Sequence, residues 1–169
     1  MDRARRDVSM TSQNVVEKTL EGVASFAGFS RHSGAWYLRN AETIEVVELQ
    51  KSQYGQQYYV NAALWLLPLG ESQFPKEEKC HIRSRLGVLF PEHEHSLKQI
   101  LDLEYPMDEA TRVIEFRRIL ETLLLPTLAA CSTLARLKGR TGDRLLKSSL
   151  VTKEAQKLLG LGVDRPVAP

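Results

Sequence analysis

Three residues on one short segment, His81, Arg83 and Arg85, alternate with Cys80, Ile82, Ser84 and Leu86. Period-two geometry sends the two sets to opposite sides of a strand, so three cationic-capable groups fall about 7 Å apart on one face. A row of guanidinium and imidazole groups at that spacing suits an anion, whether a phosphate, a carboxylate or the acidic surface of a protein. His81, with an ordinary pKa of about 6.5, adds proton transfer to what the row could do. The competing reading makes the row structural, with the arginines paired across the sheet to Glu45 or Glu48.

An adjacent strand would place Tyr59, Asn61 and Trp65 on the same face, giving the mixture of aromatic and basic groups that holds bases and phosphates. Lys51 and Tyr54, at the turn that leads into that strand, complete the candidate binding set. A second cluster, Glu92-His93-Glu94-His95, has ligand types suited to zinc or nickel. In a helix, however, side chains at i and i+2 point about 200° apart, and no third ligand lies nearby. Glu92 and Glu94 are read instead as acids at the positive end of a helix. Phosphate loops, zinc-protease helices and nucleophile elbows are absent, and neither a metal nor a cofactor is expected.

The elements that must position these residues follow from periodicity. Val15, Val16, Thr19, Leu20, Val23 and Phe26 recur at helical spacing, so a helix is predicted from Ser12 to Gly28. Ala35–Arg39 and Thr43–Gln50 are rich in β-branched and aromatic residues and read as a hairpin. Gly55 supplies the reversal for a second hairpin, into a strand over Gln57–Leu67 that is apolar on both faces and therefore central. Cys80–Gly87 makes a fourth strand, with Cys80, Ile82, Ser84 and Leu86 toward the core. Helices are predicted over Glu94–Leu103, Asp108–Thr122 and Thr127–Leu137, with Pro126 ending or kinking the second. A turn or two of helix over Asp143–Ser149 and a last helix over Thr152–Leu159 complete the chain. The fold class is α+β: a small, mainly antiparallel sheet of about four strands in two hairpins, packed with an N-terminal helix and a C-terminal helical segment. Residues 1–11 are expected to be a flexible extension, 12–159 a single domain, and 160–169 a frayed tail.

The bulk numbers exclude several classes. A chain of 169 residues buries enough surface to need no staples, and Cys80 and Cys131, far apart and outside any metal spacing, read as reduced core thiols. The charged start has no apolar signal-peptide core and no apolar run is long enough to cross a bilayer, so a cytoplasmic chain without a membrane is expected. The net charge is only +2, yet residues 136–169 hold eight Lys or Arg against three acids, +5 there and −3 elsewhere. A solvated cationic helix face accounts for this asymmetry, and nucleic acid is the weaker reading.

Several strings carry a resemblance: Gly28-Phe29-Ser30-Arg31, Trp36-Tyr37-Leu38-Arg39, Leu49-Gln50-Lys51-Ser52-Gln53-Tyr54-Gly55, and Cys80-His81-Ile82-Arg83-Ser84-Arg85. In this order, and over roughly residues 14–138, the chain resembles a bacterial family known as domain of unknown function 4304. The resemblance implies fold and compartment but brings no activity, ligand or catalytic residue. It marks Gln50, Lys51, Tyr54, His81 and Arg83 as the family's recurring positions.

Two functions are consistent with these residues. The first is a non-catalytic binding module, immunity- or adaptor-like, whose basic sheet face engages an acidic protein partner. The second is a small enzyme or ligand-binding protein for an anionic small molecule, phosphorylated or nucleotide-like, with His81 as acid or base and Arg83 and Arg85 as clamps.

Overall fold

Helix α1 (Val15–Phe26) starts where Asn14 turns its side-chain oxygen onto the Glu17 amide, 2.9 Å away, and buries Val16, Thr19, Leu20, Val23 and Ala24 along one stripe. In the computed structural model, which describes residues 13–162, the chain reverses through Gly28 at φ 93° and enters the sheet. Six strands follow: β1 (Ser30–His32), β2 (Ala35–Arg39), β3 (Thr43–Lys51), β4 (Tyr58–Leu66), β5 (Ile82–Arg85) and β6 (Leu150–Val151). They lie in sequence order, each antiparallel to the next. The sheet therefore has six strands rather than four. The two additional ones, β1 and β6, are its edges.

Between β5 and β6 run the helices α2 (Leu86–Leu89), α3 (Glu94–Ile100), α4 (Glu109–Ile119), α5 (Leu125–Ala129), α6 (Leu134–Lys138) and α7 (Arg140–Lys147), and α8 (Lys153–Leu159) follows β6. Pro126 does not end the long helix. A widened π turn over Leu120–Leu124 joins α4 to α5, and Pro126 falls in the first turn of α5, where a missing N–H costs least. Arg112, only 4% exposed, donates to the carbonyls of Gln99, Ile100, Asp102 and Tyr105 and so closes the end of α3 without an acid partner.

The principal core lies between the helices and one face of the sheet. Trp36, Val47, Val60, Ala62, Leu64, Leu66, Ile82 and Val151 come from the strands. Leu20, Phe116, Ile119, Leu124, Leu145 and Leu159 come from the helices. The other face carries a smaller cluster of Ala35, Tyr37, Ile44, Val46, Ala63 and Cys80, covered in part by the connection between β4 and β5, where Phe74 stacks on His32 at 3.9 Å. Cys80 thus belongs to this second cluster and not to the main core, because it precedes β5 and escapes the strand's alternation. The predicted fourth strand is also shorter than expected, since Leu86 already begins α2. Among the described residues no helix is long and apolar enough to cross a membrane. The extension predicted for residues 1–11 lies outside the described residues, as does most of the predicted tail over 160–169.

Candidate functional site

The register of the central strands decides what shares the less covered face. Asn61 of β4 lies opposite Arg85 and Ala63 opposite Arg83, while Glu48 and Gln50 of β3 lie opposite Asn61 and Tyr59. Glu48, Gln50, Tyr59, Asn61, Arg83 and Arg85 therefore project from one patch of sheet. The turn after α7, Lys147 to Leu150, and the segment holding Glu77 and Glu78 wall this patch into an open concavity of about 800 Å3.

Several polar groups of the concavity hold one another. Arg83 makes a two-point contact with Glu77, Nε to Oε1 at 3.1 Å and Nη2 to Oε2 at 3.3 Å, and Glu77 is only 9% exposed. Asn61 donates to Gln50 at 3.0 Å and to Glu48 at 3.4 Å. Arg85 lies over the Tyr59 ring at 4.4 Å and donates to Gln50 Oε1 at 3.3 Å. Ser84, on the opposite side of β5, donates to the Ser148 carbonyl at 2.6 Å and so holds the wall in place. Arg85 and Glu48 have no ion-pair partner among the described residues.

His81 and Trp65 stand at the far end of the same face. Their rings meet at 4.2 Å, and Trp65 donates from Nε1 to the Gly70 carbonyl at 2.7 Å. The Leu66 amide donates to His81 Nδ1 at 2.9 Å, so the neutral ring carries its proton on Nε2. Burial pulls the His81 pKa below its usual value, against a smaller opposing pull from Glu154. The imidazole thus serves as a backbone acceptor at the point where β5 begins, and its basic nitrogen is occupied.

The predicted set is therefore brought together only in part. Arg83, Arg85 and Tyr59 converge, His81 and Trp65 pack beside the 67–70 turn, and Lys51 and Tyr54 stand apart. Lys51 has the parity of Val47 and Leu49, whose side chains meet the principal core, and Tyr54 is 94% exposed at the tip of the β3–β4 connection. The expected partners of the arginines are also corrected. Glu45 points into the principal side of the sheet and is 2% exposed, and Arg83 is held by Glu77, not Glu48. Nor is the face basic: Glu48, Glu77 and Glu78 balance Arg83, Arg85 and Lys147.

Strand parity identifies Glu48 and Gln50 as neighbours of Asn61. No local pattern reveals Glu77 or the Lys147–Leu150 wall, which chain folding delivers from 6 and 64 residues away, as the Arg83–Glu77 and Ser84–Ser148 bonds record. The basic C-terminal helices spend part of their charge internally, Arg144 on Glu92 at 2.7 Å and Lys147 on Asp143 at 2.6 Å. Of the 92–95 cluster, Glu92 holds Arg144 and His95 bonds Gln99 at 3.1 Å.

Neither a curated protein nor a solved structure matches the chain. A family model described as a domain of unknown function (DUF4304) matches residues 22–130, which carry the end of α1, β1 to β5 and helices α2 to α5. Strand β6 and the Lys147–Leu150 wall lie beyond the matched segment. With more than half of its length matched by that model, the chain belongs to the DUF4304 family.

Proposed function

We propose that the chain is a non-catalytic interaction module whose open sheet face receives a segment of a partner protein bearing both acidic and basic side chains. Residues 12–159 act as one domain in this reading, in the cytoplasm, where buried Cys80 and Cys131 stay reduced. The observation that carries it is the charge state of the concavity. Arg83 and Lys147 already hold acids, and the groups left without ion-pair partners, Arg85 beside Glu48 and Glu78, are of both signs. Such a surface complements mixed charge. It disfavours a phosphate, which Glu48 on the floor and Glu77 and Glu78 on the wall would repel. In neutral His81, Nδ1 accepts from a backbone amide and Nε2 carries the proton, which leaves no lone pair to take a proton from a substrate.

Charge reversal on the open face tests this reading. Arg85→Glu and Glu48→Lys are each expected to abolish capture of the same partner from an extract of the native cell, with thermal midpoints unchanged within a few degrees. Arg83 calls for a different design. Reversing it alone would face the buried Glu77 with a second carboxylate, a cost on the order of 3 kcal/mol. The exchange Arg83→Glu with Glu77→Arg keeps the pair and isolates recognition from folding. Capture untouched by Arg85→Glu and by Glu48→Lys overturns the reading.

A further inference from the structure

The cations that line the polar concavity are already engaged. Arg83 holds Glu77, Lys147 holds Asp143 at 2.6 Å, and Arg85 lies over Tyr59 and donates to Gln50. The acids are not matched in the same way. Glu77 is paired, and Glu78 is exposed where water screens its charge. Glu48, half-buried on the floor, has no cation against it among the described residues. The hydrogen bond it receives there is a long one, from Asn61 at 3.4 Å.

Asn61 supplies the second half of a site. It is only 6% exposed and lies directly opposite Glu48 across β3 and β4. A carboxylate can only accept, so the group that Asn61 turns toward Glu48 and Gln50 is its NH2, and Oδ1 diverges from both. Among the described residues Oδ1 accepts no hydrogen bond. It is not sealed off either, because the fully buried side-chain oxygen left without a partner among those residues is Ser149 Oγ, in the wall of the same concavity. A carboxylate without a counter-charge and a carbonyl oxygen without a donor thus face one space from neighbouring strands.

Side chains directly opposite each other on such strands stand about 5 Å apart at Cβ. An ammonium nitrogen within about 2.8 Å of each oxygen bridges that gap. A planar guanidinium instead fits the two oxygens of one carboxylate, and an apolar group would leave both acceptors unsatisfied. We propose that the floor of the concavity receives the ε-ammonium of a lysine from the partner protein, held between Glu48 and Asn61 Oδ1. The inference rests on the reading of the chain as a protein-binding module and names the residue that the partner must present. Gln50 Oε1 accepts from both Asn61 and Arg85, so the Arg85 guanidinium stands one shared acceptor away. An acidic residue two positions along an extended partner segment, on the same face as the lysine, then meets Arg85.

The test is titration of the full chain, labelled with nitrogen-15, with the peptide acetyl-Gly-Lys-Ala-Asp-Gly-amide at up to about 10 mM. Shifts centred on the side-chain amides of Asn61 and Gln50 and on the backbone amides of Glu48 and Arg85 are expected. Replacing the lysine by norleucine, or changing Glu48→Gln, which keeps an oxygen for Asn61, should each weaken binding about tenfold or more. The arginine peptide should bind less tightly than the lysine peptide. Glu109→Gln on α4, the same change in net charge at an exposed site, should leave binding as it is. Norleucine or arginine peptides that bind as well as the lysine peptide, an equal loss in Glu109→Gln, shifts elsewhere, or no shifts overturn the proposal. If that happens while partner capture still depends on Glu48 and Arg85, the lysine site falls and the interaction module stands. If the lysine peptide binds through Glu48 but capture is indifferent to both residues, the site stands and the module reading falls.

Discussion

Replacing Glu45 by glutamine is expected to stabilise the protein, and to do so only above acidic pH. Glu45 lies in β3 between its cross-strand neighbours Leu38 and Leu64 and is 2% exposed. Among the described residues its side chain receives one hydrogen bond, from Asn40 Nδ2 at 3.0 Å. Burial pushes its pKa from the ordinary 4.5 up to about 7, with the Asn40 bond offsetting part of the rise. In the unfolded chain the carboxyl ionises near 4.5, whereas in the folded chain it keeps its proton until about 7. The proton-bound carboxyl therefore costs nothing at low pH. The folded state loses ground as pH climbs from 4.5 and carries the whole penalty above 7. A displacement of that size corresponds to about 3 kcal/mol. Glutamine keeps the oxygen for Asn40 and cannot ionise. Urea unfolding of parent and Glu45→Gln at about pH 4 and about pH 8 measures the effect, since carboxylates common to both proteins cancel in the difference. The advantage of the variant should grow by about 3 kcal/mol between the two conditions. Cys131, pushed up to about 12 by burial and then by Glu45, stays a thiol throughout. A difference between the two proteins that is the same at both pH values would refute the reasoning.

Two further outcomes follow from local geometry. Below its usual pKa of about 6.5, His81 must lose its bond from Leu66 in order to charge, so the parent should weaken as pH falls from 7 to 5 relative to His81→Asn, which offers an amide oxygen in place of Nδ1 and does not titrate. Parallel pH profiles for parent and His81→Asn would remove the imidazole from that role. Gly142→Ala should destabilise α7 by about 2 kcal/mol or more, although alanine in a helix is ordinarily worth about 1 kcal/mol over glycine, because the added methyl collides with the Leu137 carbonyl at the end of α6. A thermal midpoint for Gly142→Ala equal to that of the parent would mean that α6 and α7 do not approach as closely as described.

Much of the sheet was legible because its central strands obey simple periodicities. The alternation of His81, Arg83 and Arg85 against Ile82 and Ser84 placed the cationic row on one face, and the two-sided apolar pattern of β4 marked it as central. What escaped was set by distance along the chain. Ser30–His32 has no apolar alternation, and Leu150–Val151 is two residues long, so β1 and β6 exist only through the neighbours they pair with. The helical periodicity through Leu120 and Leu124 continues past Pro126 because a π turn takes up the strain, which no propensity scale registers. The site shows the same division. Parity puts Arg85 over Tyr59, but the Glu77 that neutralises Arg83 arrives from an irregular connection, and that arrival turns an apparently basic face into one of balanced charge. Lys51 and Tyr54 stood out as recurring positions in a turn, and recurrence does not report direction.

The sheet's two borders have a bearing on how the protein survives at high concentration. An open strand edge is a template on which a second chain can add, and long apolar edges seed fibrils. Here one border is three exposed residues, with Arg31 drawn back over Trp36 by Glu17 and Glu21, and the other is a two-residue strand that passes at once into α8. The long, apolar strands β3 and β4 are enclosed on both sides. A neighbouring molecule thus meets only short stubs, one of them bearing Arg31, and self-association by strand addition has little to start from.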